Sequence, residues 1–308
     1  MKTDAVPLVS VVIPTRNRAD LVGRSVQSAL NQTFRSIEVI VVLDGADETT
    51  IQALAQFEDS RLYVVTLPQS VGAQEARNVG VRSACGWWVA FLDDDDEWLP
   101  AKLERQIEAA HASRWNEPVV SCSLIAKLAD GDVAPPGRAP VQTESVAEYL
   151  FVRNVSEVAE IRLQTSTLMA SKGLLMQVPW RNTIHDEWDL LLRASVIEGV
   201  GLAFAPEPLV IWHSDAGLAR LSIETLGWRG SAAWFRSMHS VVGPRIYASF
   251  LLSTISIWAR NEGDWQAFFA LPLEAIRLGQ PTISRLLTHA ARWLLPRPIR
   301  RSLRAMIR

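Results

Sequence analysis

The strongest chemical signal in the sequence is a run of five acids, residues 93–97, directly after a short apolar segment. Neighbouring carboxylates repel one another, by about 1 kcal/mol per pair at 4 Å even in water, and a divalent cation relieves that repulsion. Alternate residues of an extended segment face the same side, so Asp93 and Asp95 can share Mg²⁺ or Mn²⁺ while Asp94 points away. Such an ion takes its remaining ligands from water and substrate phosphates. The alternative is a solvated acidic turn.

Polar side chains also follow two other apolar segments. Thr15, Arg16 and Asn17 come after the first of them, and Asp44 comes after the second. Each of these positions can be explained as a turn, because Asn and Asp are common there. However, the carboxyl ends of parallel strands meet at one edge of a sheet, where ligands bind. Together with the acidic run, they predict a binding site at that edge.

The elements that would position these side chains are alternating strands and helices. Continuous apolar runs separated by helical patterns indicate a mostly parallel sheet covered by helices on both faces, an α/β fold. A helix is predicted from Pro100, with Asp96 and Glu97 as possible caps. Strands are predicted at 9–13, 38–43, 62–67, 87–92, 166–169 and 209–212, with a helix at 188–196.

Composition excludes several classes of protein. The chain has 308 residues, of which 48% are hydrophobic and 21% charged, and its net charge is −2. These values exclude a disordered or collagen-like chain and argue against a nucleic-acid partner. Cys85 and Cys122 cannot form a zinc site alone, and we interpret both as buried thiols in a reducing compartment. Neither a dinucleotide-binding glycine motif nor a P-loop is present.

Five segments together resemble the motifs of the family 2 glycosyltransferases. They cover about residues 7–215, and the resemblance implies a GT-A fold and inverting transfer of sugar from a nucleotide-sugar donor. In chain order they are VSVVIPTRNR (around 10–18), VVLDGADE (41–48), VGAQEARNVGV (71–81), WVAFLDDDDEWLPAKLERQ (88–106) and HDEWDLLLRA (185–194).

The resemblance assigns roles to the residues that match. Asp93 and Asp95 would be the D-x-D pair that binds Mn²⁺ or Mg²⁺ and the diphosphate, and His213 would approach the metal. Gly80 would let a helix lie close to the sheet. The residues that would contact the donor are Thr15, Arg16, Asn17, Asp44, Gln74, Arg77, Asn78, Asp93 and Asp94.

The catalytic base implied by the resemblance has two candidates. The family usually has a Glu-Asp pair before the helix, whereas this chain has the reverse order, Asp186 then Glu187. By register Glu187 takes the position of the base, but Asp186 stays open as the alternative. Both can also be explained as acids favoured in the first turn of a helix.

The C-terminal part predicts a separate element. Residues 1–217 would form the catalytic domain and residues 218–308 a helical extension, including a buried helix at 246–259 that is too short to span a bilayer. Residues 275–308 carry eight arginines and no acid. This basic tail is compatible with peripheral binding at a membrane surface and equally with a solvated end that folds over the catalytic domain.

The functional prediction is therefore a metal-dependent glycosyltransferase that uses a UDP- or dTDP-sugar. Its acceptor would be a glycan or lipid-linked saccharide in bacterial envelope assembly, and it would act in the cytoplasm or at the inner face of the cytoplasmic membrane. One alternative is a nucleotidyltransferase, although PTRNR (14–18) lacks the glycines expected of a triphosphate loop. The other is a non-catalytic module that binds a sugar nucleotide or docks on a membrane.

Overall fold

The computed structural model describes residues 7–128, 131–133, 139–141, 144–152, 163–213 and 227–295. Contacts divide the chain into two compact units. The first comprises residues 1–146, 155–182 and 186–218, and the second comprises 147–154, 183–185 and 219–308. The boundary predicted between 217 and 218 lies outside the described residues.

Within the described residues, the first unit contains one sheet of nine strands. Its order is β3-β2-β1-β4-β8-β6-β9-β5, and β7 pairs with β6. The first four strands are parallel, whereas β8 is antiparallel to β4 and β6. The strands are β1 Val9–Thr15, β2 Ile37–Leu43, β3 Leu62–Thr66, β4 Trp88–Phe91, β5 Glu97–Trp98, β6 Glu117–Leu128, β7 Gly131–Val133, β8 Met169–Ser171 and β9 Val200–His213.

Helices flank this sheet and form the described part of the second unit. The helices are α1 Ala19–Leu30, α2 Glu48–Leu54, α3 Ala73–Ser83, α4 Lys102–Ala112, α5 Val146–Phe151, α6 Lys172–Gln177, α7 Asp186–Ala194, α8 Gly227–Ser237, α9 His239–Val242, α10 Pro244–Phe250, α11 Ser256–Asn261, α12 Gln266–Leu278 and α13 Ile283–Leu294. A 3₁₀ turn covers Thr165–Thr167, and a π-helical stretch, Leu251–Ile255, joins α10 to α11. The α/β class predicted from the sequence is confirmed.

The parallel strands form the core because they are apolar on both faces. Every residue of β1, β2 and β4 is buried, as continuous apolar runs predict. β3 lies at the edge of the sheet, and Tyr63 and Val64 are exposed there. The pairing places Thr15 opposite Leu43, so the polar residues that follow β1 and β2 lie at the same edge.

A close approach between α3 and β1 sets the position of the site. A Cβ atom at Gly80 would lie 2.3 Å from Cγ1 of Val12, so only a residue without a side chain lets α3 lie this close. This agrees with the close approach predicted for Gly80. Helix α3 carries Gln74 and Arg77, and its position therefore fixes theirs.

The second unit has an aromatic core. Phe250 lies 4.2 Å from Phe235 and 4.7 Å from Phe151, measured between ring centroids. The buried helix predicted at 246–259 is confirmed as α10 and α11 joined by the π-helical stretch. Among the described residues, no helix has the length and apolar character needed to cross a membrane.

Three local predictions were wrong, and one strand was predicted too short. Asp96 and Glu97 do not cap α4, whose N-cap is Ala101, because both carboxylates bind other groups. Ser166 lies in the 3₁₀ turn rather than in a strand. The strand predicted at 209–212 is the end of the longer β9. Cys85 is exposed, whereas Cys122 is buried as predicted.

Candidate active site

The acidic loop after β4 packs against the end of β1. Asp94 is 5% exposed and accepts hydrogen bonds from Thr15 Oγ1 at 2.7 Å and Arg18 Nη1 at 2.8 Å. Burial raises the pKa of Asp94 to about 6, although the Thr15 hydroxyl and the Arg18 charge oppose that rise. Asp94 therefore ties the loop to β1. The same Arg18 Nη1 atom also binds Asp95, so Asp94 does not point away from that carboxylate as the alternation predicted.

Asp93 and Asp95 are the more accessible acids of the loop. Asp93 accepts from Arg77 Nη2 at 2.8 Å and Asp95 from Arg18 Nη1 at 3.0 Å, and about a quarter to a third of each side chain is exposed. Burial and the charge of Asp93 raise the pKa of Asp95. Hard carboxylate oxygens of this kind suit Mg²⁺ or Mn²⁺. The donor set therefore fits the predicted metal.

The structure places His213 beside Glu97. Its Nε2 lies 2.7 Å from Glu97 Oε1, and its backbone N–H donates to Asp96 Oδ1 at 3.2 Å. In the part of the chain that the structure describes, no three His, Cys, Asp or Glu side chains are grouped as a metal site. A cation held by Asp93 and Asp95 would therefore need oxygens from the substrate to complete its ligands.

Arg77 joins the acidic loop to a distant segment. Its Nη2 donates to Asp93 at 2.8 Å and its Nη1 to Asp186 at 3.0 Å, and the guanidinium lies 4.9 Å from the ring centroid of Trp180. Burial alone would lower the pKa of Arg77, but the two carboxylates outweigh it and keep the group charged. Gln74 Nε2 also donates to Asp186, at 3.0 Å. Helix α3 thus brings together both acidic segments.

The two candidate bases have different surroundings. Burial disfavours the ionised form of Asp186, but hydrogen bonding with Glu187 and the charge of Arg77 outweigh it, and its pKa lies below the usual range. Burial and the adjacent charge of Asp186 raise the pKa of Glu187 well above its usual range. Glu187 Oε1 accepts from Thr165 Oγ1 at 2.8 Å and Thr165 N at 3.2 Å. The pair therefore consists of one ionised acid bound to arginine and one acid poised to carry a proton.

The remaining predicted donor residues divide into buried and exposed ones. Asp44 accepts from Ser70 Oγ at 2.7 Å and from two backbone N–H groups at the start of α3, so its carboxylate orients that turn. Asn78 binds the backbone of Trp180 through both ends of its amide. Arg16 and Asn17 are exposed after β1.

Sequence reasoning missed three residues that organise the site. Arg18 pairs with two acids of the loop, and it directly follows the residues that we singled out. Ser166 donates to Asp96 at 2.6 Å and accepts from the backbone N–H of Asp93 at 3.0 Å. Thr165 holds Glu187 as described above. The two hydroxyl residues have no motif around them, and their roles depend on long-range packing.

Comparison with known proteins gives matches to glycosyltransferases. The family model for glycosyl transferase family 2 matches residues 10–131. The putative teichuronic acid biosynthesis glycosyltransferase TuaG of Bacillus subtilis (strain 168) is 43% identical over 104 residues, which are 33% of this chain and 41% of that protein. The UDP-Glc:alpha-D-GlcNAc-diphosphoundecaprenol beta-1,3-glucosyltransferase WfgD of Escherichia coli is 38% identical over 100 residues, 32% of this chain and 40% of that protein.

The fold also matches a solved structure. Residues 1–349 of S. aureus TarS in complex with UDP-GlcNAc superpose with a TM-score of 0.60 and 18% identity, over 92% of this chain and 87% of that one. At this identity the likeness concerns the fold alone, and it agrees with the predicted GT-A architecture. The chain spans about two fifths of the length of the two curated relatives.

Proposed function

We propose that the chain, whose residues 10–131 match the family model for glycosyl transferase family 2, transfers a sugar from a nucleoside-diphosphate donor to a hydroxyl group of a glycan or lipid-linked saccharide. The name of the Escherichia coli relative specifies UDP-Glc and a lipid-diphosphate acceptor, and the TarS structure contains UDP-GlcNAc. These names support a UDP-sugar as the donor. The lipid-diphosphate acceptor in the first name supports a reaction at a membrane surface, and we propose the cytoplasmic face of that membrane.

The observation that carries the proposal is the double contact of Arg77. One guanidinium binds the acidic loop after β4 through Asp93 and the start of α7 through Asp186, at 2.8 and 3.0 Å. Sugar transfer with inversion needs a cationic surface for the departing diphosphate and a base on the opposite face of the sugar. Arg77 lies between the acidic loop, which would hold a cation for the diphosphate, and the start of α7, which would supply the base.

In a single displacement, each residue of the site would have a separate role. Glu187 accepts the proton of the acceptor hydroxyl as the new C1–O bond forms, and the diphosphate leaves with the electrons of the bond that breaks. Arg77 stabilises the charge that develops on the diphosphate. Asp93 and Asp95 would hold Mg²⁺ or Mn²⁺, which when bound supplies further neutralisation of that charge. Asp186 keeps Arg77 in place.

Glu187 is the preferred base for two reasons. By register it takes the family position of the base, and its raised pKa brings it nearer to the pH at which a base works best. Asp186 Oδ2 accepts from the charged Arg77 guanidinium as well as from Gln74, whereas the donors to Glu187 Oε1 are the neutral hydroxyl and backbone N–H of Thr165. A carboxylate bound to a charged donor in this way is a weaker proton acceptor.

The test measures release of UDP from UDP-Glc and UDP-GlcNAc with a GlcNAc-diphosphate lipid as acceptor, with Mn²⁺ or with EDTA. We expect Mn²⁺-dependent release, and we expect Glu187→Gln to lower the rate by roughly 10²–10⁴. Glu198→Gln, the same change at an exposed position after α7, is the control and should match the wild type.

Three results would contradict the proposal in different ways. Equal rates for Glu187→Gln and the wild type would exclude Glu187 as the base. Full activity in EDTA would exclude the metal. Donor binding, detected as a thermal shift, without transfer to any saccharide acceptor would favour the non-catalytic module.

A further inference from the structure

Helices α12 and α13 of the second unit carry apolar side chains on their outer faces. Each of these side chains, including one at the N-cap of α12, is more than half exposed. We call them the α12–α13 face. They are Trp265, Phe269, Leu273, Ile276, Ile283, Leu287 and Leu294.

Helix α12 is apolar on opposite sides. Leu271 and Ala275 point into the unit and are buried, whereas Phe269 and Leu273 are exposed. A shift of two residues turns the helix by about 200°, so the buried and exposed sets lie on opposite sides. A surface helix of a soluble domain normally has a polar outer side, and the outer side of α12 departs from that pattern.

The two helices are neighbours and run antiparallel. The Trp265 ring, at the start of α12, lies 5.2 Å from the Trp293 ring near the end of α13, between centroids. The ring centroids of Phe268 in α12 and His289 in α13 are 5.6 Å apart. The exposed side chains of both helices therefore belong to one region of the second unit.

Charge distinguishes the possible occupants of this region. The last acid of the sequence is Glu274, which pairs with Arg236 at 2.7 Å. From residue 275 to the end there are eight arginines and no acid, and exposed Arg277 lies in α12 itself. A second copy of the same region would bring like charges together, whereas an anionic surface would be attracted.

We propose that the α12–α13 face docks on a membrane leaflet that contains anionic lipids. The apolar side chains enter the boundary between headgroups and acyl chains, and exposed Arg277 contacts lipid phosphates. The inference goes beyond sugar transfer and does not depend on it. Vesicle binding is measured without donor or acceptor, so either proposal can fail alone.

The experiment is co-sedimentation of the full chain with vesicles of phosphatidylcholine alone or mixed with phosphatidylglycerol. The variant Phe269→Ser/Leu273→Ser/Leu287→Ser removes three exposed side chains of the face. The control Tyr63→Ser/Met176→Ser/Val196→Ser removes three side chains of similar exposure in the first unit. Circular dichroism checks that both variants keep the helical content of the wild type.

We expect the wild type and the control to bind the anionic vesicles between about tenfold and a thousandfold more strongly than the face variant does. That variant lacks three large side chains, and each one that fully enters an apolar phase contributes about a factor of ten. Wild-type binding should also be weaker on phosphatidylcholine alone. Equal binding by the face variant, or no preference for anionic lipid, would overturn the proposal. A dimer in sedimentation velocity that the face variant abolishes, without vesicle binding, would assign the face to a second copy instead.

Discussion

Lys102, at the start of α4, should make the stability of the chain rise with pH. Its side chain is fully buried, with Nζ 3.6 Å from the centroid of the Trp98 ring and donating to Gln106 Oε1 at 2.6 Å. Burial disfavours the ammonium form and lowers the pKa of Lys102 to about 7. The titratable group that faces it is the Cys122 thiol, whose pKa burial raises to about 12, so the thiol stays neutral.

The size of the effect follows from the two states of the lysine. In the unfolded chain its pKa is about 10.4, so between about pH 7 and pH 10 the unfolded chain holds a proton that the native chain has lost. The free energy of unfolding therefore rises with pH across that window, by about 4 kcal/mol in all. About 2 kcal/mol of this increase occurs between about pH 7 and pH 9.

The assay is urea unfolding of the wild type and Lys102→Met at both ends of the pH 7–9 interval. Since other groups titrate in both proteins, the difference between them isolates Lys102. The wild type should gain about 2 kcal/mol relative to Lys102→Met as the pH rises. Lys127→Met, at a partly exposed lysine of β6, should show the same pH dependence as the wild type. Parallel curves for the wild type and Lys102→Met would refute the reasoning.

Two further predictions concern the parts that position the site. Gly80→Ala should destabilise the chain by about 1–3 kcal/mol, because the added methyl group overpacks against Val12. Adding Val12→Ala to that variant should remove most of the destabilisation. If urea unfolding instead shows that the effects of the two substitutions simply add, the close approach of α3 to β1 is contradicted. Thr165→Val should lower kcat by roughly tenfold or more and move the acid limb of the rate profile to higher pH, because the carboxylate of Glu187 loses a donor. Thr165→Ser should restore both, whereas an unchanged pH profile would assign Thr165 a purely structural role.

The first half of the fold could be predicted because its signals are local. Continuous apolar runs identify β1, β2 and β4, and the polar residues after each run lie at one edge of the sheet, as parallel pairing requires. The order of the motifs then indicated the family. None of these steps needed a contact between residues far apart in the sequence.

The other half of the sheet could not be predicted in this way. Pro206 and Pro208 interrupt the apolar pattern of β9, so the sequence indicated a strand only after them. In the structure β9 continues through both prolines, because its pairing with β6 shifts register on either side of Ser123. The 3₁₀ turn that holds Glu187 has no periodic pattern and is positioned by tertiary contacts.

The structure also changes the argument from charge repulsion in the acidic loop. Arg18 pairs with Asp94 and Asp95, Arg77 pairs with Asp93, and Arg24 Nε lies 3.4 Å from Glu97. Three guanidinium groups therefore relieve the repulsion that the sequence alone attributed to a cation. The loop is held in place by the protein itself, so the ordering of these side chains precedes donor binding. Under the proposed function, a metal at Asp93 and Asp95 would take its remaining ligands from the donor diphosphate, at a loop that the arginines already hold in place.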